Sequence, residues 1–387
     1  MKKSTDLIHH PYQPPAGFAS PVQPVYKGSS VFMPSVAALK ATAWKDRDAY
    51  TYGLHGTPTT FALESRIAAL EGATHALLAP SGLAALNLVS HTLLRSGDQV
   101  CIPDNVYGPS RASCRHELAG WGVSHAVYDP LDAESLRAVL TPQTRLIWLE
   151  AAGSVTLEFP DLLGLMRVAR EAAPQAVVAL DNTWGCGIAF DAFALPGGLA
   201  VDLSVHALTK YPSGGGDVLM GSVCTRDSAL FERLAATHGR SGLGVGANDV
   251  ELVLRNLPSL PLRYAAQDAA ARRIAQWARD LPGVSQVLHP ALPDSPGHAF
   301  WRQTCRAAAG LLSLRLAEAV SAAQLAARVD ALRRFKIAWS WGGPVSLAVP
   351  YELAGIRERQ QGRVLRLAIG LEDPQDLMDD LAQAWVR

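Results

Sequence analysis

The sequence has no charge of one sign to spare. Its 35 lysines and arginines are matched by 35 aspartates and glutamates, so nothing draws it electrostatically to nucleic acid or an anionic membrane. Charge is scarce altogether, at 18% against 49% hydrophobic residues. That excludes a mostly disordered chain and fits a large, well-buried enzyme or an obligate oligomer. Cysteine is also scarce. Cys101, Cys114, Cys186, Cys224 and Cys305 are odd in number, widely spaced and free of any CxxC pair. A disulfide framework and a thiolate zinc site are both disfavoured, and reduced thiols are expected. His9-His10 has no clustered partner, so no metal site is expected. Met1 to Pro15 lacks the apolar centre of a secretory signal. Residues 72–94 carry no Asp, Glu, Lys or Arg and are long enough to span a bilayer. Pro80-Ser81-Gly82 interrupts them, however, and His75, Asn87, Ser90 and His91 dilute them, so strand, loop and helix fit better. A cytoplasmic protein is expected.

What is present is an alternation. A length of 387 residues suggests about two or three domains. The first 50 residues, rich in proline and serine, read as an irregular arm wrapped on the body or on a neighbouring subunit. Thr57-Pro58 opens a helix with Phe61, Leu63, Ile67 and Leu70 at helical spacing, and Gly72 ends it. Strands are predicted at 75–79, 99–102, 145–150, 176–180, 203–207 and 220–225, with helices at 83–94, 110–121 and 162–173. Such alternation argues for βαβ units: a mainly parallel sheet with helices on both faces. After about residue 240 the pattern changes. A long helix at 262–281 precedes strands at 312–316 and 364–369. Their period-two alternation predicts a sheet covered on one face only. Asp373-Pro374 opens a last helix that buries Leu377, Leu381 and Trp385. The expected division is an arm (1–55), a binding domain (56–245) and a smaller C-terminal α+β domain (246–387).

Three strand ends could carry chemistry. After the first strand, Pro80-Ser81-Gly82-Leu83 leads into a helix, whose first N–H groups can hold a phosphate that Gly82 lets come close; an ordinary strand-to-helix turn reads the same way. Asp181-Asn182-Thr183 ends an apolar strand, where ligands of open α/β sheets bind; a loop cap is the alternative. Thr209-Lys210 follows another apolar strand and precedes a glycine-rich loop. A lysine partly desolvated there would have a lowered pKa and act as an imine-forming nucleophile, although most loop lysines are merely solvated. Together these supply a phosphate cradle, an acid and an amine, which match the phosphate, ring nitrogen and aldehyde of pyridoxal phosphate (PLP). Gly242 to Ala247 matches a dinucleotide fingerprint, but a helical stretch precedes it where that motif needs a strand.

Tyr52-Gly53-x-x-Gly56-Thr57, Ser81-Gly82, Asp181-Asn182-Thr183, Ser204-x-x-x-x-Thr209-Lys210-Tyr211 and Arg366 resemble the Cys/Met-metabolism family of PLP-dependent enzymes. The resemblance implies fold type I, aspartate-aminotransferase-like, with a mainly parallel seven-stranded sheet and a smaller C-terminal α+β domain. Further segments resemble the family's bacterial β-eliminating branch: Glu150-x-x-Gly153-Ser154, His289 to Pro293, Gly297-His298-x-Phe300-Trp301, Trp339-Ser340-Trp341-Gly342-Gly343 and Gly370 to Asp373. What this implies is α,β-elimination of a sulfur amino acid, L-cystathionine, to homocysteine, pyruvate and ammonia. The γ-acting relatives, a cysteine-conjugate β-lyase and a PLP-binding regulatory protein remain alternatives.

By the same resemblance, Lys210 attaches the cofactor and shuttles the Cα proton, and Asp181 holds the ring nitrogen protonated. Tyr107 stacks on the ring and assists proton transfer. Ser81, Gly82, Leu83 and Thr209 hold the phosphate, and Thr183 lies beside them in the cofactor site. Tyr52 reaches the phosphate from a neighbouring subunit of a homotetramer. Arg366 pairs the substrate carboxylate, and Ser340 and Trp341 line its pocket. The sequence departs from the family pattern at Leu54, usually arginine, at Ala207, at Gly214-Gly215 and at Val345.

Overall fold

A computed structural model describes residues 2–9, 16–17, 20, 22–42, 49–355 and 357–385. Seven strands make the larger sheet: β1 (His75–Ala79), β2 (Gln99–Pro103), β3 (Ser124–Tyr128), β4 (Thr144–Glu150), β5 (Val177–Asp181), β6 (Leu203–His206) and β7 (Gly221–Thr225). Their order is β1-β7-β6-β5-β4-β2-β3, and β7 alone runs antiparallel to its neighbours. Helices cover both faces. Leu63, Ile67 and Met166 belong to the core on one side, and Leu86, Val89 and Leu234 to the core on the other. The mainly parallel sheet is therefore as expected, and so are the strand positions, apart from β3. Its Ser124-His125 start is too polar to stand out as an apolar run.

The smaller sheet is antiparallel. It comprises β8 (Val284–Leu288), β9 (Leu311–Leu316), β10 (Leu347–Ala354) and β11 (Gln361–Ala368), in the order β10-β11-β9-β8. Leu312, Leu314, Leu365 and Leu367 face a separate core, shared with Ile274 of the long helix Leu260–Trp277 and Leu381 of the last helix. One expectation fails here. The alternation predicted a solvated second face, yet Val364 and Arg366 are buried as well. The reason is that this face lies against the loop after β4: Ser313 Oγ donates to the Val155 carbonyl (2.7 Å) and Arg366 to the Ser154 carbonyl (3.1 Å).

The arm is not wholly irregular. It holds short helices at Lys3–Ile8 and Val36–Ala41. Lys3 tethers the first of them to the Gly187 carbonyl and Asp191. Phe32 is 97% exposed, and Val36 and Leu39 are also open. The Gly242–Ala247 run follows the helix Ser228–Arg240, so no strand precedes it. No helix among the described residues is long and apolar enough to cross a membrane.

Candidate active site

Strands β1, β2, β4, β5 and β6 are mutually parallel, so their carboxyl ends share one edge of the sheet. The antiparallel β7 begins at that edge. Its Gly221 abuts the turn after β1, and a Cβ there would stand 2.4 Å from the Ser81 carbonyl oxygen. Ser81 caps the helix Gly82–Leu93 by accepting the Ala84 N–H at 3.1 Å. The N–H groups of Gly82 and Leu83, in the unpaired first turn, have no acceptor among the described residues. Gly82 is required by close approach, because a Cβ would lie 2.6 Å from that of Ala207. The small residue at 207 thus lets the helix start dock against the end of β6.

Asp181 and Lys210 frame the floor. The Asp181 Oδ1 accepts the Thr183 N–H (3.0 Å) and hydroxyl (2.5 Å), and Thr183 Oγ1 in turn accepts the Ala207 N–H (3.0 Å). Burial pushes the Asp181 carboxyl up, and the Thr183 bonds oppose it. Lys210 Nζ donates to Ser340 Oγ at 2.9 Å and sits 5.5 Å from the Trp341 ring centre. Burial, aided by the Arg366 charge, lowers its ammonium to about 8. Ser340 has φ 122°, a strained backbone for a residue with a side chain. Beyond it, Gly342 comes so close to the Lys210–Tyr211 backbone that a Cβ would be 2.8 Å from the Tyr211 nitrogen. Residues 339–343 are therefore clamped over the lysine. Arg366 is buried on β11 with Tyr351 beside it, 5.4 Å from guanidinium to ring centre.

Tyr107 donates its backbone N–H to Glu150 Oε2 at 2.8 Å. Its phenol is pushed up by burial and by the charges of Asp181 and Glu150. Glu150 itself is pushed well above the carboxylate range, first by burial and then by Asp181, its register partner on β5. Its motif was visible in the sequence, but its side chain was not read as part of the site. The strand-end criterion that found Asp181 applies to it equally.

Two expected residues stand apart. Thr209 spends its hydroxyl on Met220, bonding both the N–H (3.0 Å) and the carbonyl (3.2 Å). Tyr52 pairs with Ser30 and lies beside His55, and no contact joins it to Lys210, Asp181 or Ser81 among the described residues. Leu54 is packed against Gly244. His10 lies outside the described residues, among which no group of three or more His, Cys, Asp or Glu could hold a metal ion.

The sequence profile of the Cys/Met metabolism PLP-dependent enzymes matches residues 4–386. The chain belongs to this family. It is 37% identical to a putative cystathionine beta-lyase of Rhizobium johnstonii over 375 residues, covering 95% of this chain and 91% of that one. With a cystathionine beta-lyase of Bordetella avium it shares 37% identity over 393 residues, 98% and 97% of the two chains. The crystal structure of metB from Corynebacterium glutamicum superposes with a TM-score of 0.88 at 28% identity, covering all 100% of this chain and 98% of that one. Pyridoxal phosphate is accordingly the cofactor, and the fold is the family's fold type I. The residues present fit it. The Gly82 and Leu83 N–H groups at a helix start have no acceptor among the described residues, and the close packing of Gly82 on Ala207 and of Gly221 on Ser81 holds that turn in place, which suits a phosphate. A buried carboxylate and a buried amine stand at the ends of nearby strands, as a ring nitrogen and an aldehyde require.

Proposed function

We propose that this enzyme is a carbon–sulfur lyase that cleaves L-cystathionine by α,β-elimination, releasing homocysteine, pyruvate and ammonia, as a cystathionine beta-lyase in methionine biosynthesis. The observation that carries the reading is the clamp of residues 339–343 over Lys210, with Arg366 nearby. It puts an amine, a hydroxyl, an indole and a guanidinium around one small volume. The relatives named cystathionine beta-lyase support the choice of substrate.

Lys210, Asp181 and the turn Ser81-Gly82-Leu83 would hold the cofactor, with Thr183 fixing Asp181 and Thr209 fixing the chain before Lys210. When bound, PLP supplies an electron sink for charge developing at the substrate Cα. Arg366 takes the substrate α-carboxylate in a two-pronged bond, as guanidinium geometry favours. That orients the Cα–H toward Lys210. With its ammonium lowered to about 8, Nζ is available as a base near neutrality, accepts the Cα proton and returns a proton to the leaving sulfur. Ser340 Oγ holds Nζ in place, and Trp341 shields it from water. The Tyr107 phenol stays neutral and serves as a proton donor.

We further read the open apolar side chains of Phe32, Val36 and Leu39 as covered by a second copy of the chain. Tyr52 would then complete the neighbour's phosphate site in a homo-oligomer, in the family manner a dimer of dimers. The three-part division at 55 and 245 and a cytoplasmic location belong to the same proposal.

The test is an absorbance spectrum of the purified protein and of Lys210→Ala, then addition of L-cystathionine with identification of the keto acid. A visible band that borohydride converts into a cofactor covalently fixed to the protein in the wild type but not in Lys210→Ala, with pyruvate formed, is expected. Formation of 2-oxobutyrate would assign the enzyme to the γ-acting relatives. No visible band even with added PLP would refute the roles given to Lys210 and Asp181.

A further inference from the structure

Arg366 is 6% exposed, yet no carboxylate pairs with it among the described residues. Burying a cation without a counter-ion is costly. Among those residues its hydrogen bonding is limited to Nη1 and the Ser154 carbonyl, at 3.1 Å. What it has besides is a ring: Cζ stands over that of Tyr351, 5.4 Å from the ring centre.

The strand register explains the meeting. In the antiparallel pair of β10 and β11, Arg366 lies opposite Val349 and Tyr351 opposite Val364. Tyr351 and Arg366 are thus diagonal neighbours on one face, a separation that an aromatic ring and a long side chain can bridge. That face is turned to the cleft, while Leu365 and Leu367 point the other way into the smaller core. On the opposite side of Arg366, β9 supplies Ser313, whose hydroxyl is spent on the Val155 carbonyl. The Ser154 carbonyl and the Tyr351 ring are therefore what hold the guanidinium.

Core packing does not account for a ring at this place. Tyr351 is half-buried on an edge strand, between the exposed Pro350 and Glu352, and belongs to none of the hydrophobic cores. Its hydroxyl forms no hydrogen bond among the described residues, so the ring is what it gives. A carboxylate in its place would balance the charge of Arg366 but would occupy the two-pronged edge that a substrate carboxylate needs. An aromatic face attracts the cation through its quadrupole and leaves that edge free.

We propose that Tyr351 is a positioning residue for Arg366. Its ring stabilises and orients the unpaired guanidinium before the substrate α-carboxylate arrives, and so sets how tightly an amino acid binds more than how fast it reacts. The inference rests on the carboxylate-binding role given to Arg366 above.

The experiment uses the holoenzymes of wild type, Tyr351→Leu, Tyr351→Phe and Arg366→Lys. Two quantities are read: KM and kcat for L-cystathionine, and the L-alanine concentration that half-saturates the change in visible absorbance. L-Alanine carries the α-carboxylate and the amine without a sulfur leaving group, so its binding does not depend on which elimination the enzyme performs. Tyr351→Leu is expected to raise KM and the L-alanine value about five- to tenfold, with kcat changed about twofold at most. Tyr351→Phe keeps the ring and is expected to bring both back near the wild-type values. If Tyr351→Leu does not fold, Tyr351→Met, of similar bulk and without a ring, is expected to show the same rise. Wild-type L-alanine binding in the ringless variant, beside weakened binding in Arg366→Lys, would overturn the role of Tyr351 and leave that of Arg366 intact. Tyr351→Phe as weakened as the ringless variant would also overturn it, by moving the effect to the hydroxyl. Unaltered L-alanine binding in Arg366→Lys would overturn both roles.

Discussion

The two sheets serve the site in opposite ways. The seven-stranded sheet lends only its strand ends: Ser81 after β1, Glu150 and Asp181 closing β4 and β5, Lys210 just after β6. The four-stranded sheet lends the middle of a strand. Arg366 sits between Leu365 and Leu367, both in the smaller core. The cause is layering. Helices bury both faces of the larger sheet, so an ionisable group in mid-strand would lose its water, and only the ends reach the cleft. The smaller sheet has one leucine-filled face and a second face turned to the cleft, where alternate residues can be polar. Strand-end residues should therefore be separable from folding, whereas Arg366 is embedded in it.

The sharpest way to test this contrast is Lys210→Ala. Turnover is expected to fall by about three orders of magnitude or more, with the thermal midpoint little changed. A variant that also unfolds would break the contrast. The same residue has a pH signature. Its amine reacts as the free base, and burial together with Arg366 favours that form. Covalent uptake of PLP by cofactor-free protein should thus rise with pH and level off above about 8, where an ordinary lysine would need 10.5. The growth of visible absorbance at a series of pH values measures this, and a midpoint near that of a free lysine would contradict the assigned environment.

Arg366→Ala comes next. With the carboxylate-binding role proposed for Arg366, its removal should cost about 2–5 kcal/mol, read as a loss in kcat/KM. Arg366→Lys should recover only part, because an ammonium lacks the two-pronged geometry. One position along the same strand, Leu367→Ala should cost about 2–5 kcal/mol of stability through the cavity it leaves, measured by denaturant unfolding, with KM unchanged. If Leu367→Ala raised KM as much as Arg366→Ala, the division of β11 into a core face and a site face would be wrong. The smallest effect is expected for Ser340→Ala. It removes a hydrogen bond to a charged group, about 1.5–3 kcal/mol at most, and should lower kcat about tenfold or more while leaving the PLP spectrum in place.

Much of the larger sheet was legible because each strand is a short apolar run closed by turn residues, and Asp181 and Lys210 announce themselves by following such runs. β3 was not, since Ser124 and His125 lie near the edge of the sheet and need not be apolar. The one-sided reading of the smaller sheet failed at Val364 and Arg366. Period-two alternation records which residues share a face, not what covers it. Glu150 was missed for a related reason: a carboxylate at an element's end looks solvated until its neighbours are known.

The sequence by itself determined the layers of this protein, and it pointed to Lys210 and to the helix start that suits a phosphate. These depend on periodicity and turn chemistry within a few residues. Only the tertiary structure decided that Ser340 meets Lys210 across 130 positions and that Arg366 shares their volume. Such contacts depend on strand order and burial, which place groups distant in the chain in a common low-dielectric space. No local pattern encodes that distance.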